Sequence, residues 1–123
     1  VSFKDAAQRL EDMADALGHI ASYTETMDEA SFLADERTQD AVSRQMEILG
    51  EAAARVPGPV QKRFDRLPWG QLAEMRNVLI HEYHAVEPIV LWRTVTGDLP
   101  PLRVLVDAAR ADLRRHPETD ANR

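Results

Sequence analysis

Late in the chain, Met75-Arg76-Asn77-Val78-Leu79-Ile80-His81-Glu82-Tyr83-His84 places an arginine, an asparagine, two histidines and a tyrosine in one short segment. Histidine titrates near neutral pH and can carry protons. Arginine offers a permanent planar cation suited to a phosphate or to its transition state. Asparagine and tyrosine can orient both. These groups are the minimum set for attack of an RNA 2′-hydroxyl on the adjacent phosphate, which needs proton transfer and charge stabilisation.

On an ideal helix at about 100° per residue, Leu72, Met75, Val78 and Leu79 share the core arc. Arg76, Asn77, Ile80, His81 and His84 occupy the arc beside it. Asn77 and His81 lie one turn apart, and Arg76 and Tyr83, seven apart, are nearly aligned. Arg76 and His81 are separated by roughly 140° around the axis, so one helix surface does not focus them. A second copy packed across a two-fold axis would bring both sets into one groove, with Ile80 buried between them. Three readings stay open on residues alone. The segment is a solvated helix face with incidental pairs, a metal-free phosphodiester site, or a metal site on His81 and His84. No third ligand recurs at helical spacing for the metal, and the H-E-x-x-H pattern is absent.

The elements around this segment read as helices. Phe3, Ala6/Ala7, Leu10, Met13/Ala14, Leu17 and Ile20/Ala21 recur at three- and four-residue steps, predicting a helix over 3–26 with Ser2 as N-cap and Gly18 as a mild weakness. A turn at Thr26-Met27-Asp28 leads into a short helix in which Phe32 and Leu33 are expected to be buried. A second long helix, over 35–55, is capped by Asp35. Its apolar stripe is Ala41/Val42, Gln45, Ile48/Leu49, Ala52/Ala53 and Val56, and Gln45 within it needs a polar partner if buried. Arg44, Glu47 and Glu51 are spaced for pairing along the helix. Glu47 and Glu51, with His84, are candidate supporting groups of the site.

Pro57-Gly58-Pro59 stops that helix, and Val60 to Phe64 forms one further turn. Pro68 opens the motif helix, expected over 68–83, and Val86-Glu87-Pro88 breaks it. A helix from Ile89 to about Gly97 follows. Leu99-Pro100-Pro101 punctuates again, and Leu102, Leu105/Val106, Ala109 and Leu113 form the last amphipathic helix. No segment alternates with period two, and no hairpin turn or internal repeat is visible. The expected fold is all-α: an up-down bundle of four to five helices with short connecting helices, one domain over 1–115 and a frayed tail at 116–123.

Composition sets the outer limits. The 123 residues are 44% hydrophobic and 29% charged, as in an ordinary globular protein. The absence of cysteine removes disulfides, thiolate metal sites and cysteine nucleophiles. A net charge of −6 argues against non-specific coating of nucleic acid, which rests on neutralising phosphates, but leaves room for a local cationic cleft. Arg103, Arg110, Arg114 and Arg115 cluster near the C-terminus, while most acids precede residue 52. No apolar run approaches the ~18 residues of a membrane span, and no leader pattern is seen, so a soluble, cytoplasmic chain without a membrane partner is expected.

The run from Arg76 to Tyr83 carries the signature R-x-x-x-x-H-x-Y. With Thr38-Gln39-Asp40-Ala41-Val42, Ile48-Leu49-Gly50-Glu51-Ala52-Ala53, Pro68-Trp69, Trp92 and Asp98-Leu99-Pro100 in the same order, the chain resembles the HepT-like branch of the HEPN superfamily from about Phe3 to Leu113. The resemblance implies a HEPN-type helical homodimer, the toxin of a type VII-like toxin–antitoxin pair. Its activity would be metal-independent cleavage of RNA, with tRNA the expected substrate, at a cleft formed across the dimer and without a cofactor. The antitoxin would be a minimal nucleotidyltransferase that silences the toxin by adenylylation. By position, Arg76 and His81 are then catalytic, Asn77 is their polar companion and Tyr83 is the modified residue. His84 departs from the pattern, since an aromatic such as Phe is more usual there. The alternative is a catalytically silent HEPN module that docks a nucleotidyltransferase or binds nucleotide.

Overall fold

The computed structural model describes residues 3–117, and no strand occurs among them. The helices are α1 (Phe3–Thr24), α2 (Glu29–Leu33), α3 (Glu36–Ala54), α4 (Gly58–Arg63), α5 (Trp69–Glu82), α6 (Pro88–Arg93) and α7 (Leu99–Arg115). A 3₁₀ turn, Tyr83–Ala85, follows α5, and a π turn, Thr94–Asp98, joins α6 to α7. The expected cap Ser2, and residues 118–123 of the expected tail, lie outside the described residues.

Helix α3 is the centre of the bundle, packed against α1 on one flank and α5 on the other, with α7 on the far side of α1. Leu10, Met13, Ile20, Phe32, Val42, Met46, Leu49, Val60 and Val106 are fully buried. Each contributes roughly 1.5–3 kcal/mol by leaving water. Polar contacts join the neighbours, and the pair between α3 and α5 shows that these two run antiparallel. Glu11 of α1 meets Arg110 of α7, His19 of α1 meets Gln45 of α3, and Asp40 and Glu51 of α3 meet Tyr83 and Arg76 respectively.

Local chemistry sets most boundaries. Asp28 and Ser31 form a reciprocal capping box at α2, with bonds of 2.9 and 3.0 Å. The Asp35 carboxylate accepts from the Thr38 N–H at 3.0 Å and from its hydroxyl at 2.8 Å. These bonds hold both aspartate carboxyls below their ordinary value of 3.8. At the far end of α3, the Gln61 amide donates to the Ala53 carbonyl at 3.2 Å. The Trp69 indole donates to the carbonyls of Gln61 and Phe64, which fixes α4 against the start of α5.

Four expectations are corrected. Helix α1 ends at Thr24 rather than 26, where the Met27 N–H turns back to the Thr24 carbonyl at 3.0 Å. Phe32 is buried against Trp92, with ring centroids 5.1 Å apart, but Leu33 is 42% exposed. Adjacent residues on a helix point about 100° apart, and on this one-turn helix Phe32 takes the core side while Leu33 is turned to solvent. On α3 it is Met46, not Gln45, that enters the core. Gln45 is half-buried and faces the His19 ring across 3.3 Å. A helix gripped on two flanks buries a wider arc than a single stripe, so Gln39 and Ser43 are buried as well. The Gln39 amide is satisfied by the carbonyls of Phe32 and Leu33 at 2.9 and 3.2 Å.

The fourth correction concerns Leu99-Pro100-Pro101, which does not interrupt the chain's helical path. The prolines occupy the first turn of α7, where their missing N–H groups cost least. The π turn before them widens the spacing, so that the Leu99 N–H reaches the Thr94 carbonyl. Hydroxyls of Thr94 and Thr96 donate to the carbonyls of Val90 and Trp92 at 2.9 Å each.

Candidate active site

The site is built where α5 crosses α3. Leu72 and Leu79 anchor α5 in the core. Met75 and Val78, expected on the same buried arc, are only half-buried, and both line an open surface cleft of about 260 Å³ with Val86 and Val90. A monomer of this shape leaves that flank of α5 uncovered. Ile80 is 49% exposed.

Gly50 determines how close the two helices come. A Cβ built there would lie 2.6 Å from the Cβ of Arg76 and 2.9 Å from the Leu72 carbonyl oxygen. Neither atom is the loose end of a side chain, so only glycine permits this approach. The stem of Arg76 therefore lies over Gly50, and its head is caught by the next residue of α3. Arg76 Nη1 donates to Glu51 Oε2 at 3.0 Å. Nε and Nη2 donate to Asn77 Oδ1 at 3.2 and 2.8 Å. A guanidinium has five N–H donors, so a held Arg76 still has donors to offer a phosphate.

Asn77 is thus a clamp on Arg76, and Glu51 is the counter-charge. Glu47 bonds to Arg44 at 3.1 Å instead. His81 is exposed, with no hydrogen-bond or ion-pair partner among the described residues. The fold brings Arg76, Asn77 and Glu51 together and leaves His81 on the solvent side of α5, beyond the exposed Ile80.

Tyr83 is not on the motif helix. The backbone turns at Glu82, at φ −137° and ψ 32°, and Tyr83 begins the 3₁₀ turn. Its hydroxyl donates to Asp40 Oδ1 on α3. Asp40 and Glu51 are three helical turns apart, about 16 Å along the axis. Within one chain the phenol and the guanidinium therefore serve different points of α3, although both face it. Burial, and then the bond to Asp40, push the phenol above its ordinary value of 10.0. Tyr83 and Asp40 line an open groove of about 540 Å³ with Leu33, Glu36, His84 and Pro88. His84 is exposed, its ring 6.0 Å from that of Tyr83. Among the described residues, no group of three or more His, Asp or Glu is placed to hold a metal ion.

Two positioning residues escaped the sequence reading. Gly50 carries a faint signal, a glycine inside an otherwise strong helix at a cost of about 1 kcal/mol. Asp40 stands four residues before Arg44, a spacing that suggests a pair along the helix. In the structure Arg44 goes to Glu47, and Asp40 is left for Tyr83.

A family model described as Ribonuclease HepT-like matches residues 13–109. The chain is 42% identical over 94 residues to the "Probable ribonuclease HepT" of Thermococcus cleftensis, covering 76% of this chain and 86% of that protein. It is 29% identical over 107 residues to the "Putative RNase MJ1380" of Methanocaldococcus jannaschii, covering 87% and 98%. No solved structure matches it significantly.

Proposed function

The chain belongs to the Ribonuclease HepT-like family of the HEPN superfamily and is a ribonuclease; from that premise we propose that it is the toxin of a toxin–antitoxin pair, an endonuclease whose site is completed by a second copy of itself. Arg76, clamped by Asn77 and balanced by Glu51, stabilises the charge that builds on the scissile phosphate. His81 moves the proton. Attack by the RNA 2′-hydroxyl on its own 3′-phosphate forms the new P–O bond. The 5′-oxygen leaves, and a cyclic phosphate end remains. No step requires a metal.

The observation that carries this reading is the split between an organised Arg76 and an exposed His81, without a partner among the described residues, on one helix, separated by an exposed isoleucine. A two-fold axis over Ile80 buries that residue and sets the His81 of each copy toward the Arg76 of the other. Incubation of the purified chain with total tRNA is the direct test. Cleavage should persist in EDTA, leave 2′,3′-cyclic phosphate ends and track a dimer in sedimentation. A strict need for a divalent ion, or a fully active monomer, would remove the reading.

Tyr83 supplies the control. Transfer of an adenylyl group to its hydroxyl from a nucleotidyltransferase antitoxin adds bulk and negative charge beside the RNA path, excluding substrate by volume and repulsion. The groove in front of Tyr83 gives a partner access to it. Co-expression with the nucleotidyltransferase followed by intact mass spectrometry should reveal an adenylyl adduct that disappears in Tyr83→Phe, whose nuclease activity then escapes silencing. An adduct that persists in that variant would place the modification elsewhere.

A further inference from the structure

We propose that Asp40 is the proton acceptor for group transfer to Tyr83, so that the chain carries in its own α3 the base that prepares it for modification. This rests on the reading above that Tyr83 accepts a nucleotidyl group. Ionised carboxylates only accept, so the Tyr83 O–H donates to Asp40 Oδ1 and the proton already lies on the path it must leave by. The residue opens onto the groove shared with Glu36, His84 and Pro88.

The need for a base follows from the local environment. Burial and the neighbouring carboxylate disfavour a phenolate here, so at neutral pH the nucleophile is a neutral phenol whose proton must depart as the new bond forms. In the transfer, Tyr83 Oη attacks the α-phosphorus of a nucleoside triphosphate held by the partner. The bond from that phosphorus to the bridging oxygen breaks, and pyrophosphate leaves with the electron pair. The phenolic proton passes to Asp40 Oδ1 and from there to water. No electrons are exchanged with any other group.

The chain's other tyrosine is an internal control. Tyr23 is 41% exposed and stacks on His19 at 6.1 Å, with no carboxylate bonded to its hydroxyl among the described residues. A simple phosphorus electrophile, diisopropyl fluorophosphate, reproduces the attack at phosphorus with fluoride as leaving group and needs no partner protein. Treatment of the full chain and peptide mass spectrometry should find Tyr83 labelled faster than Tyr23, despite the greater exposure of Tyr23.

Asp40→Asn should slow labelling at Tyr83 by about tenfold or more, leaving the rate at Tyr23 and the melting temperature unchanged. Asp40→Glu should restore part of it. Asparagine can still accept the phenol's hydrogen bond but takes no proton, so a merely structural brace would keep its labelling rate. Labelling of Tyr83 in Asp40→Asn at the wild-type rate, or no preference for Tyr83 over Tyr23 in the wild type, overturns the proposal. If labelling depends on Asp40 while co-expression yields no adenylyl adduct, the base stands and the modification by a partner falls.

Discussion

Arg76→Ala and His81→Ala will each reduce RNA cleavage by about 10²-fold or more, the scale at which a positioned proton carrier or a charge-stabilising donor acts. Their stability cost will be small. His81 is exposed and unpaired among the described residues, and surface substitutions of that kind stay within about 0.5 kcal/mol. Arg76 loses one ion pair to Glu51, whose side chains are 25% and 48% exposed, and such pairs are worth about 0–1 kcal/mol. Thermal unfolding followed by circular dichroism should therefore barely change while cleavage vanishes.

Mixing the two variants adds a sharper result. If each site takes Arg76 from one copy and His81 from the other, a heterodimer of Arg76→Ala with His81→Ala contains one site with both residues intact. Co-refolding the two inactive proteins should then recover cleavage in proportion to the heterodimer formed. A mixture as inactive as its components would assign both residues to the same copy, and cleavage that survives either single change would remove them from the reaction.

Gly50→Ala will destabilise the protein although alanine is the better helix former. The propensity gain is about 1 kcal/mol. Against it stands a methyl group forced to 2.6 Å from the Arg76 Cβ and 2.9 Å from a backbone oxygen. Overpacking of this kind costs typically 1–3 kcal/mol. The repulsion wins because neither atom can swing away, so α5 must lift from α3. A net loss of up to about 2 kcal/mol, or a fall of several degrees in melting temperature for a chain of this size, is expected. Cleavage should fall further than stability does, because the lifted helix carries Arg76 away from Glu51. Gly18→Ala is the control. There the added Cβ meets only the end of Arg103, at 3.8 Å, so propensity alone acts and the melting temperature should rise. Equal behaviour of the two alanine variants would refute the close-approach argument.

Periodicity and breakers determined the helical character of the chain, the number of long helices and the cap at Asp35, because those depend on neighbours a few residues away. The residue types of the motif likewise determined which chemistry was available. The buried face of α3 could not be settled in that way. Gln45 and Met46 are adjacent, and the choice between them depends on α5 pressing from a second side. Nor could an ideal helix say where Tyr83 points, because the turn at Glu82 carries the phenol to Asp40, a residue forty-three positions earlier. The ion pair of Glu51 with Arg76 and the seat provided by Gly50 also join residues more than twenty apart. Such contacts exist only once α3 and α5 have packed, and no local pattern encodes the distance between two helix axes.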